Sequence, residues 1–330
     1  TIGNDREDPD GGACYLARLL PRLATLLGEH LPAVERALAG NLLASLGDPR
    51  FDAEHWYLPD DAALGFVEIP AGEFLMGSDK DKDSQMYDDE TPQHNVDLEA
   101  FYMARFPVTV AQFRVFVEEN GFRPGDEGCL RGISNHPVVR VSWHEALKYC
   151  EWLNEKLSGV SDQISGKRSL SEQQRGFWQG LVEGSLKVSL PSEAEWEKAA
   201  RGTDGRIYPW GDTFDADKAN ISETGIGSTT AAGCFVSEAS PNGLQDMSGN
   251  VWEWTRSVFQ PYPYDPNDGR EDLKLKDLRV LRGGSFYVDQ RYVRCAYRGN
   301  LGPHLRYYYR GFRVVVSPSS NLTRACARVL

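Results

Sequence analysis

Arg282-Gly283-Gly284-Ser285-Phe286 begins the stretch of sequence on which the fold of this chain depends, and Gly311-Phe312-Arg313 ends it. Between them, residues 287–310 mix tyrosines, arginines, a histidine and small residues, with neither the period of a helix nor that of a strand. Three consecutive tyrosines, Tyr307 to Tyr309, cannot all face one core. We therefore expect a fixed frame that holds either a catalytic pocket or a recognition surface.

The same stretch is rich in arginine although the whole chain is acidic. A net charge of −12 argues against general nucleic-acid binding, while it leaves room for a local basic patch. We expect several of these arginines to be buried, paired with acids and holding loops together. They are Arg279, Arg282, Arg291, Arg294, Arg298, Arg306, Arg310 and Arg313.

Length and composition indicate a globular, loop-rich protein. The 330 residues suffice for one large domain with an appendage, and 32 glycines, 8 tryptophans and 14 tyrosines favour loops and aromatic clusters over a helical bundle. No window reaches the roughly 18 apolar residues of a membrane helix. The six cysteines form no CxxC pair and no Cys/His metal spacing, so we expect free thiols in a reducing compartment, the cytoplasm.

Residues 13–46 differ from the rest of the chain and predict two or three short helices. Leucines recur at helical spacing, and the segment ends at Gly47-Asp48-Pro49, a stop signal. Their apolar stripes require a partner, either the main domain or another chain. One stripe comprises Leu16, Leu19, Leu20, Leu23, Leu26 and Leu27, and the other comprises Val34, Leu38, Leu42, Leu43 and Leu46.

From Phe66 onward the pattern changes to short strands and capped helices. Strands are predicted at 66–70, 73–77 and 96–106. Helices are predicted to begin at Thr109, at Ser142 (a capping box with Glu145), at Ser171 within a polar insertion (158–187), and just after Pro191. The carboxylates of residues 79–90 favour a solvated loop over a metal site, because the glycine turn and terminal glutamate of an EF-hand are missing.

Seven short motifs occur one after another between Phe66 and Phe286. They are Phe66-Val-Glu-Ile-Pro-Ala-Gly-Glu-Phe-Leu-Met-Gly-Ser, Pro107-Val-Thr, Pro137-Val-Val-Arg-Val-Ser-Trp, Leu190-Pro-Ser-Glu-Ala-Glu-Trp-Glu, Pro209-Trp-Gly, Gly249-Asn-Val-Trp-Glu-Trp-Thr and Arg282-Gly-Gly-Ser-Phe. This set resembles the formylglycine-generating-enzyme (sulfatase-modifying-factor) family. The resemblance implies an α+β, C-type-lectin-like domain over 64–316, preceded by a helical segment (1–63) and followed by a tail (317–330).

The chemistry of that family is not carried over at its essential atoms. In the enzymes, two cysteines after the Gly-Gly-Ser-Phe motif bind copper, and the matching positions here are Val288 and Val293. Valine neither ligates a metal nor cycles its redox state. Cys295 and Cys150 match cysteines of disulfides in secreted relatives, but their partner positions carry Ala200 and Val314. We therefore expect a protein that is not an enzyme and has no catalytic cofactor.

Residues 287–310 also resemble the variable region of diversity-generating retroelement proteins that use the same fold. In such systems AAY asparagine codons of an RNA template are copied with errors at adenines, which yields many residue types but never a stop codon. Eleven positions here fit such changes: Val288, Asp289, Tyr292, Gly299, Leu301, Gly302, His304, Leu305, Tyr307, Tyr308 and Tyr309. Adenine changes do not account for Gln290 and Asn300, which lie in the same stretch and complete the set.

The family resemblance also implies structural calcium. The carboxylates of Asp246 and Glu253, with the backbone carbonyls of Gly249 and Val251, form the oxygen-only set that calcium prefers. A second family site maps to Asn220, Ile221, Thr224 and Ile226, where Thr224 stands in place of a carboxylate. The alternative for both sites is that these polar groups merely cap loops.

The leading hypothesis is a ligand-binding variable protein whose partner, a protein or other macromolecule, contacts residues 287–310. The alternatives are a formylglycine-generating or related oxidase, and an interaction domain of a signalling protein without diversification. A carbohydrate-binding lectin is suggested by the fold alone, which is a weak argument. The N-terminal helices are expected to contact another domain or chain.

Overall fold

The computed structural model describes residues 12–29, 31–167, 170–235 and 240–320. Its helices are α1 (Gly12–Leu26), α2 (Ala33–Leu46), α3 (Val110–Asn120), α4 (Trp143–Lys167), α5 (Glu172–Glu183) and α6 (Glu193–Arg201). Among these described helices, none is long and apolar enough to cross a membrane.

The helix starts confirm the capping signals read from the sequence. Thr109, Ser171 and Ser192 each accept a hydrogen bond from the backbone N–H three residues later, and each is part of a capping box. Before α4, the Glu145 carboxylate accepts a hydrogen bond from the Ser142 backbone N–H at 2.7 Å. The polar insertion is more regular than expected, because α4 runs into it as far as Lys167 before α5 begins.

The described residues form twelve short strands. They are β1 (Phe51–Asp52), β2 (Leu58–Pro59), β3 (Phe66–Ile69), β4 (Gly72–Met76), β5 (His94–Leu98), β6 (Phe101–Ala104), β7 (Leu186–Ser189), β8 (Trp252–Val258), β9 (Arg279–Arg282), β10 (Gly299–Leu301), β11 (Arg310–Gly311) and β12 (Val315–Pro318). The prediction of one strand over 96–106 is wrong. Two strands lie there, and they separate because β5 pairs with β4 whereas β6 pairs with β3.

Two four-stranded sheets organise the domain. One has the order β3-β6-β12-β7 and is antiparallel, and the other has the order β10-β9-β8-β11, with β11 parallel to β8. The main core lies between α3, α4, α5 and these sheets, and includes Phe113, Trp143, Trp254 and Phe312. The buried indole N–H groups of Trp143 and Trp254 donate to the carbonyls of Thr255 and Val141, so these rings are fully satisfied in the core.

The N-terminal helices pack on the main domain. Leu43 on α2 belongs to a buried cluster with Cys234 and Phe235, and the α2 backbone at Gly40 lies directly against Ala231. The predicted second stripe therefore divides. Leu43 and Leu46 face inward, whereas Val34, Leu38 and Leu42 stay exposed on the outer face.

Candidate functional site

Arg294 ties the middle of residues 287–310 to the acidic loop. Its guanidinium donates to Asp83 Oδ2 at 2.7 Å and to both oxygens of Glu90 at 2.6 and 2.7 Å. Asp83 and Glu90 are both buried. The prediction that residues 79–90 form only a solvated loop is wrong for these two carboxylates, because a cation from a distant part of the chain compensates their burial.

Two further arginines attach the frame to α6. Arg298 makes a bidentate pair with Glu193, at 2.6 and 2.9 Å, and Arg282 pairs with Glu197. All four side chains are buried. Such planar, two-point contacts fix orientation as well as position, so α6 holds both the start and the middle of the stretch.

Arg313 closes the frame at its C-terminal end. It donates to both carboxylate oxygens of Glu253, at 2.7 and 2.8 Å, and the Trp196 indole N–H donates to the same carboxylate at 2.7 Å. Arg279 differs, because it is buried but donates to three backbone carbonyls rather than to an acid, and burial lowers its pKa to about 10. The expectation of buried, paired arginines is thus confirmed for Arg282, Arg294, Arg298 and Arg313.

The predicted variable positions lie mostly between these buried anchors and reach solvent. Exposed or partly exposed are Val288, Asp289, Gln290, Tyr292, Gly299, Asn300, Leu301, His304, Leu305, Tyr307, Tyr308 and Tyr309. Gly302 is the exception and is buried in a turn, where its carbonyl accepts a hydrogen bond from the Leu305 N–H. We call the accessible side chains of residues 287–310 the 287–310 surface.

Four tyrosines form one part of this surface. Tyr309 is half-buried, with its ring stacked on Tyr287 at 5.7 Å and on Tyr307 at 5.6 Å. The Tyr308 ring meets Tyr309 edge-on at 4.9 Å. Tyr287, Tyr308 and Tyr307 keep 63%, 44% and 38% of their surface exposed. Tyr309 is therefore the half-buried base against which the other rings pack, while Tyr307 and Tyr308 face solvent.

A second aromatic group includes a residue that sequence reasoning missed. Tyr87, from the acidic loop, stacks on Tyr292 at 6.4 Å and meets Tyr297 edge-on at 5.4 Å. A side-chain hydrogen bond to Tyr292 raises the pKa of Tyr87. No local pattern marked Tyr87. Tyr87 reaches this surface because Asp83 and Glu90, on the same loop, are bound to Arg294.

The backbone beneath the surface is fixed by contacts that do not depend on side chains. The carbonyl of Tyr307 accepts from the Arg140 N–H, and the carbonyl of Tyr309 accepts from the Trp252 N–H, both at 3.0 Å. The carbonyl of Val288 accepts from the Ser222 N–H at 3.0 Å. Because main-chain groups make these bonds, other side chains at these positions can keep the same backbone.

Val288 and Val293, which the family resemblance places at the copper-binding cysteines, are packed as apolar residues. Val293 is fully buried beside Tyr208, Ala219 and Ile221, and Val288 packs against the same cluster. Cys295 shares a buried cluster with Ala200, its expected partner position. All five cysteines that the structure describes are free thiols, and burial raises the pKa of Cys295 to about 12.

The first predicted calcium site does not fit a cation well. Glu253 is already bound by Arg313 and Trp196, and a cation at that carboxylate would face the guanidinium. Asp246 is buried, accepts from the Gly233 N–H at 2.6 Å, and burial raises its pKa to about 6. In the described ranges, no three His, Cys, Asp or Glu side chains are grouped as metal ligands.

The second predicted calcium site offers one suitable atom. The Oδ1 of Asn220 is buried and has no hydrogen-bond partner among the residues that the structure describes. The Thr224 hydroxyl instead donates to the Ile221 carbonyl at 2.7 Å, and Ile226 packs in the apolar cluster of α2. Structural calcium therefore stays a prediction, with Asn220 its best supported ligand.

Comparisons with known proteins agree with the fold. Residues 59–318 match the Sulfatase-modifying factor enzyme 1-like domain. Formylglycine-generating enzyme of Streptomyces coelicolor is 30% identical and aligns over 76% of this chain and 88% of its own length. Inactive C-alpha-formylglycine-generating enzyme 2 of Mus musculus is 29% identical, over 79% of this chain and 83% of its own. The structure of Treponema denticola variable protein 1 superposes with a TM-score of 0.53 and 25% identity, over 77% of this chain and 95% of that one.

Proposed function

The chain belongs to the sulfatase-modifying factor enzyme 1-like family, and from that premise we propose that it is a ligand-binding variable protein of a diversity-generating retroelement. Its 287–310 surface binds a protein or another macromolecule, and it carries out no reaction. The likeness to a variable protein supports this proposal, and so does the similarity to an inactive homologue.

The observation that carries the proposal is the way burial divides the stretch. Val293, Arg294, Cys295 and Ala296 are buried, while twelve of the thirteen predicted variable positions reach solvent. The predicted variable positions thus lie mostly where a side chain can be exchanged with little effect on the core. Val288, Tyr292, Leu301 and Tyr309 also pack partly against buried clusters, so exchange there affects packing more.

The residue types on the surface support binding as well. Tyrosine provides a large amphipathic contact area at a small entropic cost, and tyrosine and arginine dominate the energetics of many protein interfaces. Exposed Tyr287, Tyr307 and Tyr308, with Tyr87 beside the same surface, supply such contacts.

The oxidase alternative lacks its metal ligands. The side chains of Val288 and Val293 carry no metal-binding atom. Of the cysteines that the structure describes, Cys295 is the nearest in sequence, and burial raises its pKa to about 12, which disfavours the thiolate. A reducing, cytoplasmic environment stays part of the proposal, supported by the free thiols.

A selection experiment tests the proposal. Binders to the full chain are selected from a library of displayed random peptides, and their affinities are remeasured on Tyr308→Ala and on the matched control Tyr15→Ala, which alters another exposed tyrosine on α1. We expect about a tenfold loss of affinity for Tyr308→Ala and no loss for the control.

Three outcomes would contradict the proposal in different ways. Binders that tolerate Tyr308→Ala would locate recognition elsewhere. Stoichiometric copper(I) binding with oxidation of a cysteine-containing peptide would favour the oxidase. A gene neighbourhood without a reverse transcriptase and an adenine-variant repeat would favour an interaction domain without diversification.

A further inference from the structure

An open cleft adjoins the 287–310 surface at the end formed by residues 304–310. Its volume is about 1120 Å³, and it is lined by residues 123–128 with Arg131 and Arg140. It is polar and wide rather than enclosed, which suits a segment of another macromolecule better than a small molecule.

Direct contacts make the cleft continuous with the surface. The Arg140 N–H holds the Tyr307 carbonyl, and Arg140 itself has a left-handed backbone with φ 64°. The Glu145 carboxylate connects the cleft to the 287–310 stretch. It accepts hydrogen bonds from Arg306 of the stretch at 2.8 Å and from the Gly125 N–H of the cleft at 2.7 Å. A ligand on Tyr307 and Tyr308 therefore lies next to the arginines of the cleft.

Most charges in this region are paired within the chain. Arg140 lies 3.3 Å from Asp126, and Arg123 lies 3.7 Å from Glu127. Arg306 is bound to Glu145. These pairs use up the acids of the cleft, so they leave any additional arginine without a counter-charge.

Two arginines are left over. Arg131 is exposed at the rim of the cleft, and neither Arg131 nor Arg310 has an ion-pair partner within the described part of the chain. The Arg310 guanidinium lies over the Tyr307 ring at 4.1 Å and over the Tyr309 ring at 5.0 Å. Its Nε and Nη1 are buried without a hydrogen-bond partner among the described residues. Burial also lowers the pKa of Arg310, and the Tyr309 and Tyr307 side chains offset only part of that effect.

The surface near Tyr87 carries charges of both signs. Asp88 and Asp89 are exposed there, and Lys80 lies 4.0 Å from Asp88. Arg291 lies over the Tyr292 ring at 5.6 Å and pairs with Asp289 at 2.8 Å. This part of the surface therefore balances its own charges, whereas Arg131 and Arg310 add positive charge at the 304–310 end.

We propose that the 304–310 end, with the adjoining cleft, takes an acidic protein segment whose Asp or Glu carboxylates compensate Arg310 and Arg131. This inference rests on the proposed function and names the chemistry of its partner. A carboxylate beside the Tyr307 and Tyr309 rings attracts Arg310 at the protein surface, where the effective dielectric lies below that of bulk water. A nucleic acid fits less well, because a continuous basic track is missing and the net charge is −12.

The test uses the same displayed-peptide selection, with composition as the readout. Wild type, Arg131→Gln/Arg310→Gln, and the control Arg18→Gln/Arg22→Gln are compared; both double variants remove two positive charges, and the control pair is exposed on α1. We expect peptides enriched in Asp and Glu on wild type and on the control, with affinities about tenfold weaker on Arg131→Gln/Arg310→Gln. Because Arg310→Lys keeps the positive charge, it should retain most of the affinity that is lost when Arg310 is replaced by Gln. This comparison separates the effect of charge from an effect on folding.

The other outcomes overturn the inference. Peptides that depend on Tyr308 but carry no acidic excess would refute it and leave the proposed function standing, whereas a chain that enriches no peptide would refute both. If both double variants lose the same affinity for the peptides, the loss would come from net charge and not from Arg131 and Arg310 in particular. Binding of a labelled oligothymidylate as tight as that of the acidic peptides would point to polyanions rather than carboxylate-bearing segments. Arg131→Gln alone, at an exposed position, tests the idea if the Arg310 variants fail to fold.

Discussion

At Arg294, one side chain connects parts of the chain that lie 211 positions apart, from Arg294 to Asp83. The guanidinium is 1% exposed and is enclosed by Asp83 and Glu90. Burying three charged groups is unfavourable unless each finds its partner, so the arrangement tolerates few alternatives. An anchor of this kind holds the backbone of residues 287–310 without using the exposed side chains of the stretch.

Removing this anchor should destabilise the fold. For Arg294→Met we expect the free energy of unfolding to fall by about 3–5 kcal/mol, because two carboxylates stay buried without a cation. Urea unfolding of the full chain measures it. The matched control is Arg291→Met in the same segment, which removes an exposed pair with Asp289 and an exposed contact with the Tyr292 ring and should change little. Similar losses for both variants would mean that Arg294 does not anchor the stretch.

His136 should make stability depend on pH. It is buried between Asn41 of α2 and Thr229, and burial lowers its pKa to about 4, from an unfolded value of about 6.5. The unfolded chain therefore binds this proton first, so stability present above about pH 6.5 is lost as the pH falls towards 4. We expect the free energy of unfolding to fall by up to about 3 kcal/mol over this range. The His136→Gln variant should not show this pH-dependent fall. A difference between the two proteins that is constant from pH 7 to 4 would contradict this account.

Among the elements, α2 illustrates how packing decides the fate of a sequence pattern. Its leucines predict an amphipathic helix that needs a partner, and the domain covers Leu43 and Leu46 only. Gly40 makes the approach possible, since a Cβ there would lie 2.6 Å from the Ala231 Cβ. The Asn135 side chain also donates to the Gly40 carbonyl at 3.0 Å.

Two glycine-to-alanine substitutions should have opposite effects. Gly176, in α5, has open space around a new Cβ, so Gly176→Ala should stabilise the chain by about 0.5–1 kcal/mol through helix propensity. Gly40→Ala gains the same propensity but must displace Ala231, and we expect a net destabilisation of about 1–3 kcal/mol. Thermal or urea unfolding measures both. Equal stabilisation would show that α2 does not pack closely on the domain.

Local sequence signals predicted the positions of the elements better than they predicted which strands pair in the sheets. Thr109, Ser142 and Ser192 cap helices through atoms within three residues, so the sequence contains the whole interaction. The division of 96–106 into β5 and β6 was missed, because it depends on which distant strands offer free edges.

At the scale of the whole molecule, residues 287–310 pass from one edge of a sheet to the other. The stretch leaves β9, adds β10 at one edge and ends in β11 at the opposite edge, parallel to β8. Most of its accessible side chains lie on the turns between these strands, and the strands and buried arginines hold both ends of those turns. Preorganisation of this kind lowers the entropic cost of binding a partner.

The N-terminal helices should differ in their coupling to the domain. Six residues of α2 are buried, whereas α1 has none. Hydrogen exchange followed by mass spectrometry should therefore find α2 amides protected together with the core, and α1 amides exchanging at a much lower free energy of opening. Equal protection of α1 would indicate that another chain or segment covers it.

The sequence by itself determined the family and the helix caps, because motifs and capping residues act over short stretches of chain. It predicted the buried arginines and the variable positions as well. Tertiary structure alone decided which acids pair with Arg294, that Tyr87 joins the surface and that Gly302 does not. It also decided that Arg310 has no counter-charge within the described part of the chain. Burial and charge compensation are set by what lies nearby in space, and for this stretch those neighbours come from chain segments as distant as the acidic loop.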